Sequence, residues 1–160
     1  MNTVTTVDHS AIRTNQAAII LMLLAAFILN LPWLVALVSF VMLFGSFFLK
    51  KPGFFWIYRF FLLPSRLVKP DKIPDHAAPH LFAQGFGGLV LLGSFFILWT
   101  GFGTTGWALA WLVIALAALN LFGGFCVGCM VYYWLNRLHV PGFNHSSPEG
   151  TLPGFRPKRS

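Results

Sequence analysis

The distribution of charged side chains constrains this chain more than any other feature of its sequence. All eleven Lys and Arg residues and all four Asp and Glu residues lie outside four long apolar stretches. These stretches cover residues 16–31, 32–49, 81–100 and 106–133. A charged side chain is costly in hydrocarbon, and about 20 consecutive apolar residues cross a bilayer as a helix. The pattern therefore predicts an all-α fold, a four-helix transmembrane bundle.

The same distribution predicts an orientation. The charged residues are confined to the N-terminal segment, one central loop and the C-terminal tail, which four spans would place on one side. Because basic residues accumulate on the cytoplasmic side, we expect a multi-pass protein of the cell membrane with both termini in the cytoplasm. The anionic inner leaflet of the bilayer then accounts for the net charge of +7. No basic helix or aromatic RNA-binding motif is present, so we do not expect nucleic-acid binding.

The remaining segments suggest one membrane domain, residues 1–140, followed by a flexible cytoplasmic tail, residues 141–160, rich in Pro, Gly and Ser. Between the second and third spans, residues 54–63 include six aromatic side chains and one Arg. A segment of this kind is too short to span, and it predicts a short interfacial amphipathic helix. The fourth stretch is longer than the bilayer core, so it is expected to tilt, bend at Gly123–Gly124 or protrude.

The strongest chemical candidate is the pair Cys126 and Cys129, the only two cysteines of the chain. On a helix, a C-x-x-C spacing places both sulfurs on one face. Such a pair can cycle between dithiol and disulfide, supply half of a tetrahedral metal site, or carry a persulfide that the second thiol resolves. We therefore take Cys126 and Cys129 as a candidate redox pair, with Cys126 attacking and Cys129 resolving.

Two other interpretations of the cysteines stay open. Cysteine is a common apolar filler in membrane helices, so the pair could serve packing alone. A metal centre would need further ligands, which His139 could supply about one turn further along, or His76 and His80 by folding back. With no second C-x-x-C, the sequence predicts no metal site and identifies no cofactor.

A second set of residues is expected to serve helix packing. On a continuous fourth helix, the stripe of Asn120, Gly124 and Gly128 lies about 150° from the cysteine stripe. Gly124 and Gly128 form a G-x-x-x-G pattern, which favours close approach of helices. Gly85 and Gly88 of the third span are expected to act in the same way. The cysteines would then face away from this contact.

Four segments together resemble a bacterial integral-membrane family: Val7-Asp8, Arg13–Gln16, Ala78–Gly85 and Gly124–Cys129. The family is known as domain of unknown function 4395. The resemblance covers nearly the whole chain except the tail, and its most specific part is the Phe-Cys-x-Gly-Cys signature. It implies no activity, but it adds weight to the residues that match its pattern: Asp8, Arg13, Phe82, Gln84, Gly85, Cys126, Gly128 and Cys129.

The sequence therefore leaves two functional hypotheses. The first is thiol/disulfide or sulfur-transfer chemistry at the C-x-x-C near the cytoplasmic face, with a thioredoxin-like or sulfurtransferase partner. The second is a non-catalytic accessory or scaffold subunit that packs against other membrane subunits in the lipid bilayer. A proton-coupled transporter is disfavoured because no span carries a carboxylate, and a channel because no span has a polar stripe.

Overall fold

Four long apolar helices run side by side in the computed structural model, which describes residues 6–65, 68–147 and 150–156. They are α1 (His9–Ile28), α2 (Pro32–Leu49), α4 (Ala77–Trp99) and α5 (Gly103–Gly123), and each is long and apolar enough to cross a membrane. Helix α1 packs against α2 and α5, and α4 packs between α2 and α5 on the other side. The predicted all-α four-helix bundle is confirmed.

Local sequence explains where these helices begin and turn. The Asp8 carboxylate accepts a hydrogen bond from the backbone N–H of Ser10 at 3.0 Å and caps α1, so the helix begins before the apolar stretch 16–31 and runs directly into it. Between α1 and α2, Asn30 adopts a left-handed conformation with φ of 49°. Pro32 then opens α2, where its missing N–H costs no hydrogen bond. Asn30, Leu31 and Pro32 thus form a tight turn between two antiparallel helices.

The bundle core is apolar and is formed mainly by short branched side chains. Its most deeply buried members include Leu23 of α1, Val35 and Val38 of α2, and Leu91 of α4. Many large apolar side chains on the outer surface of the helices are exposed, including Leu21, Phe40 and Phe96. An outer surface of this composition suits contact with lipid tails.

The predicted helix over residues 54–63 is present. Helix α3 (Phe55–Ile57) continues directly into a wider π-helical turn, Tyr58–Leu62. The segment contacts α1, and the Tyr58 hydroxyl donates a hydrogen bond to the Asp8 carboxylate at 2.7 Å. Its location at a membrane surface stays a prediction.

The fourth predicted span differs from a single helix over residues 106–133. Helix α5 ends at Gly123, Gly124 takes a left-handed conformation with φ of 62°, and α6 (Val127–Arg137) begins anew. Gly124 adopts this conformation easily because it has no Cβ, and it ends the helix. Of the three outcomes expected for this long stretch, the structure shows a break at Gly123–Gly124. The assumption of one continuous helix was therefore wrong. The predicted angle of about 150° between the glycine and cysteine stripes depended on that assumption.

Two small strand pairings close the end of the bundle from which α1 starts. Strand β1 (Thr6–Asp8) pairs antiparallel with β2 (Lys72–Pro74), and Phe125 forms an isolated bridge with Phe155. The Cys126 N–H donates to the Gly154 carbonyl at 2.8 Å, and the Arg156 N–H donates to the Gly124 carbonyl at 3.0 Å. Residues 150–156 therefore lie across the junction between α5 and α6. They belong to the segment 141–160, for which the sequence predicted a flexible tail without such contacts.

Candidate functional site

Cys126 occupies the N-cap of α6. Its backbone is extended, with φ of −102° and ψ of 104°, and its sulfur accepts a hydrogen bond from the backbone N–H of Cys129 at 3.2 Å. The free N–H groups and the dipole of a helix N-terminus favour negative charge at this position. Both cysteines are free and buried. The break after Gly124 therefore places the first cysteine where a thiolate is stabilised.

The close approach of α6 to α4 brings a histidine to the cysteines. A Cβ at Gly128 would lie 2.5 Å from the Cβ of Ala83, so only glycine permits this contact. From the first turn of α4, the His80 Nδ1 lies 3.4 Å from the Cys129 sulfur. Thus Gly128 brings together two segments that are far apart in sequence.

Asp75 connects His80 to a second histidine. Its Oδ2 lies 2.9 Å from the Nε2 of His80 and 3.0 Å from the Nε2 of His9, and Asp75 is only 3% exposed. The Asp75 carboxylate accepts a hydrogen bond from the His80 Nε2–H, which orients the ring so that its Nδ1 faces the Cys129 sulfur. The result is a continuous hydrogen-bonded chain from Cys129 through His80 and Asp75 to His9.

The surroundings of the two sulfurs shift their pKa values in opposite directions. A hydrogen bond from the Cys129 thiol and the neighbouring His80 outweigh burial and lower the pKa of Cys126 below its ordinary value. The same hydrogen bond, together with burial, raises the pKa of Cys129. Burial would raise the pKa of Asp75, but hydrogen bonds from His80 and His9 outweigh it and keep the carboxyl ionised. The geometry therefore assigns the thiolate to Cys126 and the proton to Cys129.

We expect Cys126 to be alkylated at lower pH than an ordinary cysteine. The reactive species is the thiolate, so the rate rises as the pH passes through the pKa, which the site lowers below the usual value of about 8.5. Iodoacetamide labelling followed by mass spectrometry at each site, from pH 5 to 9, measures this profile. His80→Ala should move the midpoint for Cys126 upward. A wild-type midpoint at or above that of free cysteine would contradict the assignment.

The same residues include groups able to hold a metal ion. Ligand atoms of His80, Cys126 and Cys129 all lie within 4.8 Å of one another, as do those of His9, Asp75 and His80. Among the residues described here, neither group has a fourth Cys, His, Asp or Glu ligand atom at that distance. The first group is thus one ligand short of a closed tetrahedral zinc site.

Of the three histidines considered from sequence, only His80 reaches the cysteines. The His76 ring lies 4.7 Å from the ring of His145, and His139 is exposed.

The residues predicted to serve helix packing separate into three groups. At Gly85 a Cβ would lie 2.9 Å from the Ser46 Oγ, and at Gly88 it would lie 2.9 Å from the Leu43 Cγ, so both permit close contact between α4 and α2. Gly128 does the same between α6 and α4. Gly124 instead ends a helix, and Asn120 lies beside two cavities.

Two cavities meet at Cys126. A polar cavity of about 310 Å³ is bordered by both cysteines, His9, Asp75 and His80. An apolar cavity of about 170 Å³ lies between α1, α4, α5 and α6. Cys126 and Asn120 border both. The cysteine site is therefore accessible from a polar and from an apolar side.

Asp75 and His9 were not predicted as parts of this site. Both belong to polar segments of the sequence, and the hydrogen bonds of the structure connect them to Cys129 through His80. The one available signal was His80 itself, which belongs to the segment Ala78–Gly85 that carried the family resemblance.

Comparison with known proteins gives one match. The family described as "Domain of unknown function (DUF4395)" matches residues 7–137, which include the four spanning helices, the histidines of the site and both cysteines. A search of curated proteins found no match. A search of solved structures also found none.

Proposed function

The chain belongs to the family of domain of unknown function 4395, and we propose that Cys126 and Cys129 perform thiol–disulfide exchange at one end of its four-helix bundle. The observation that carries this proposal is the capping of α6 by the Cys126 sulfur, with His80 directly beside Cys129. A helix N-terminus favours the attacking thiolate, and a neighbouring base accepts the proton of the second thiol.

The exchange proceeds in two balanced steps. In the starting state His80 holds the proton that Cys126 has given up. The Cys126 thiolate attacks one sulfur of a partner disulfide, forms a mixed disulfide, and releases the other partner sulfur as a thiolate, which takes the proton from His80 and leaves that ring neutral. Cys129 then passes its proton to His80 and attacks the Cys126 sulfur, which releases the second partner thiolate. The partner disulfide is reduced by two electrons, and Cys126 and Cys129 are oxidised to a disulfide. In the reverse direction the pair oxidises a partner dithiol.

The surroundings of the sulfurs favour this function over simple packing. A cysteine that only fills space needs apolar neighbours, whereas here a chain of buried polar groups, His80, Asp75 and His9, ends at Cys129. Burial of polar groups is costly unless they are hydrogen-bonded. The buried network of His80, Asp75 and His9 ends at the Cys129 sulfur, which supports a chemical role for the two cysteines. The natural partner would be a thioredoxin-like or sulfurtransferase protein.

A Cys129→Ser variant tests the proposal. After reaction with oxidised glutathione, it should retain one glutathione on Cys126, because the resolving thiol is gone. Wild type should proceed to the Cys126–Cys129 disulfide. Cys126→Ser should react more slowly than an exposed-thiol control peptide, because the remaining Cys129 is buried. Mass spectrometry of each product measures the outcome.

The same variant in native membranes would retain a physiological partner as a mixed disulfide. Retention of one extra sulfur atom on Cys126 would instead indicate sulfur transfer. Wild-type cysteines that react no faster than those of the unfolded chain would overturn the proposal. Stable co-purification of other membrane proteins in that case would favour an accessory subunit.

We further propose that the cysteine site faces the cytoplasm, with both chain termini on that side. This orientation rests on the eleven basic residues, all of which fall outside the apolar stretches. In a background with Cys126 and Cys129 replaced, single cysteines introduced at Thr104 and at Ser65 should differ in labelling by an impermeant maleimide. Thr104 should label in intact cells, and Ser65 only after the cells are opened. Labelling of Ser65 from outside would reverse the orientation.

A further inference from the structure

The apolar cavity beside Cys126 has no role in exchange with a water-soluble partner. Its walls include Phe82, Phe86 and Val90 of α4, Leu112 and Leu116 of α5, and Val131 of α6. Its volume of about 170 Å³ is close to that of cavities that take up a single benzene ring. The cavity is therefore the size of one aromatic or quinonoid ring.

This cavity opens to the side of the bundle. The side chains of Phe86, Leu112 and Val131 are 56%, 49% and 41% exposed. Phe86 and Leu112 belong to α4 and α5, whose outer surfaces would face the hydrocarbon of a membrane. A ligand that dissolves in the lipid can therefore enter the cavity without passing through water.

The lining of the cavity also includes a polar and a reactive side chain. These are Asn120 and Cys126, and both also border the polar cavity that contains Asp75 and His80. The Asn120 amide can donate a hydrogen bond to a ligand oxygen. The suitable occupant therefore has an apolar ring, an oxygen acceptor and the ability to react with a thiolate.

Resting on the proposed thiol–disulfide function, we propose that this cavity binds the ring of a lipid-soluble quinone, which takes an electron pair from the Cys126–Cys129 dithiol. The quinone combines the three properties required of the occupant. A lipid acyl chain would fit the apolar walls, but it would offer the Asn120 amide no acceptor and the thiolate no group to react with.

The reaction is balanced. The Cys126 sulfur adds to the quinone ring, which forms a C–S bond and places an electron pair on the ring oxygens. Cys129 gives its proton to His80 and attacks the Cys126 sulfur, so that the S–S bond forms as the C–S bond breaks. The ring oxygens take up two protons through His80, first the one that Cys126 had given up and then the one that Cys129 releases. One dithiol and one quinone thus become one disulfide and one hydroquinone.

The two cavities then serve two partners at one sulfur. A protein or small-molecule dithiol delivers electrons from the polar side, and the quinone removes them on the lipid side. The two reactants never need to meet, because Cys126 borders both cavities.

The test uses the reduced full-length protein in lipid nanodiscs without oxygen, with decylubiquinone as the probe. This quinone has no unsubstituted ring carbon, so it cannot form a stable aryl thioether. We expect one quinone to be consumed per disulfide formed, measured by quinone absorbance and by mass spectrometry.

Leu112→Trp should fill the mouth of the cavity. The ratio of the rate with quinone to the rate with oxidised glutathione should then fall by at least tenfold. Leu119→Trp is the matched control, since Leu119 is 43% exposed on the same helix and does not border the cavity.

Each outcome decides between the two proposals. Wild type that reacts with glutathione disulfide but not with the quinone overturns the quinone site and leaves thiol–disulfide exchange standing. Equal relative rates for Leu112→Trp and Leu119→Trp also overturn it. If neither probe oxidises the pair, the proposed function fails as well. Should Leu112→Trp not fold, Asn120→Leu replaces it and should raise the quinone concentration for half-maximal rate at least fivefold; an unchanged value overturns the site.

Discussion

Alanine at position 128 should lower the stability of the protein and loosen the cysteine site. A Cβ there would lie 2.5 Å from the Cβ and 2.7 Å from the Cα of Ala83, so a backbone must move. Overpacking of this kind costs about 1–3 kcal/mol. We expect a lower Tm for the detergent-solubilised protein and a Cys126 alkylation profile shifted toward that of free cysteine, because α6 moves away from His80.

Gly93→Ala provides the matched control for this substitution. Gly93 lies in the middle of α4, and a Cβ there meets no atom within 4 Å. Alanine favours a helix more than glycine does, so this variant should keep or slightly raise the Tm. Equal effects of the two substitutions would show that α6 does not depend on its close contact with Ala83.

Replacing His80 by alanine should slow thiol–disulfide exchange by about 100-fold at pH 7, near the lower end of the contribution of a positioned acid or base. The His80 Nδ1 lies 3.4 Å from the Cys129 sulfur and is the acceptor for its proton in the resolving step. Stopped-flow reaction with oxidised glutathione should show the mixed disulfide accumulating. In His80→Ala the rate of the resolving step should also keep rising with pH beyond the wild-type plateau, because hydroxide must then remove the Cys129 proton.

His76→Ala is the control for the loss of a histidine. His76 lies four residues before His80, at the N-cap of α4, and its ring contacts His145 instead of a cysteine. This variant should keep the wild-type rate of the resolving step. If both variants resolve the mixed disulfide at the wild-type rate, His80 has no part in proton transfer.

The architecture could be predicted from sequence because the bilayer imposes a strong and simple constraint. Charge is costly in hydrocarbon, so the parts of the four helices that would lie in it are visible as uncharged stretches. The helix over residues 54–63 was likewise visible from its aromatic content. The break after Gly123 was one of three expected outcomes, because length alone does not distinguish a tilt from a break. Only the left-handed backbone of Gly124 decides it.

The site was less predictable because its residues come from distant segments. Cys126 and Cys129 were visible from their spacing, but their environment was analysed on a continuous helix that does not exist. His80 lies 49 residues before Cys129, and His9 lies 66 residues before Asp75. No local pattern in the sequence links such pairs. Their meeting depends on how α1, α4 and α6 pack, which the distribution of charge does not determine.

The position of residues 150–156 gives this protein an order of assembly. The Gly154 carbonyl accepts the Cys126 N–H, and Arg156 forms an ion pair with Asp71, close to the segment that carries Asp75. A ribosome synthesises these residues after all four apolar helices, so the bundle can enter the membrane before the cysteine site has all its contacts. A nascent or prematurely terminated chain would therefore be inserted without the contacts that residues 150–156 make beside Cys126. The hydrogen bond of the Cys126 N–H and the ion pair of Asp71 would form only after residue 156 had been synthesised.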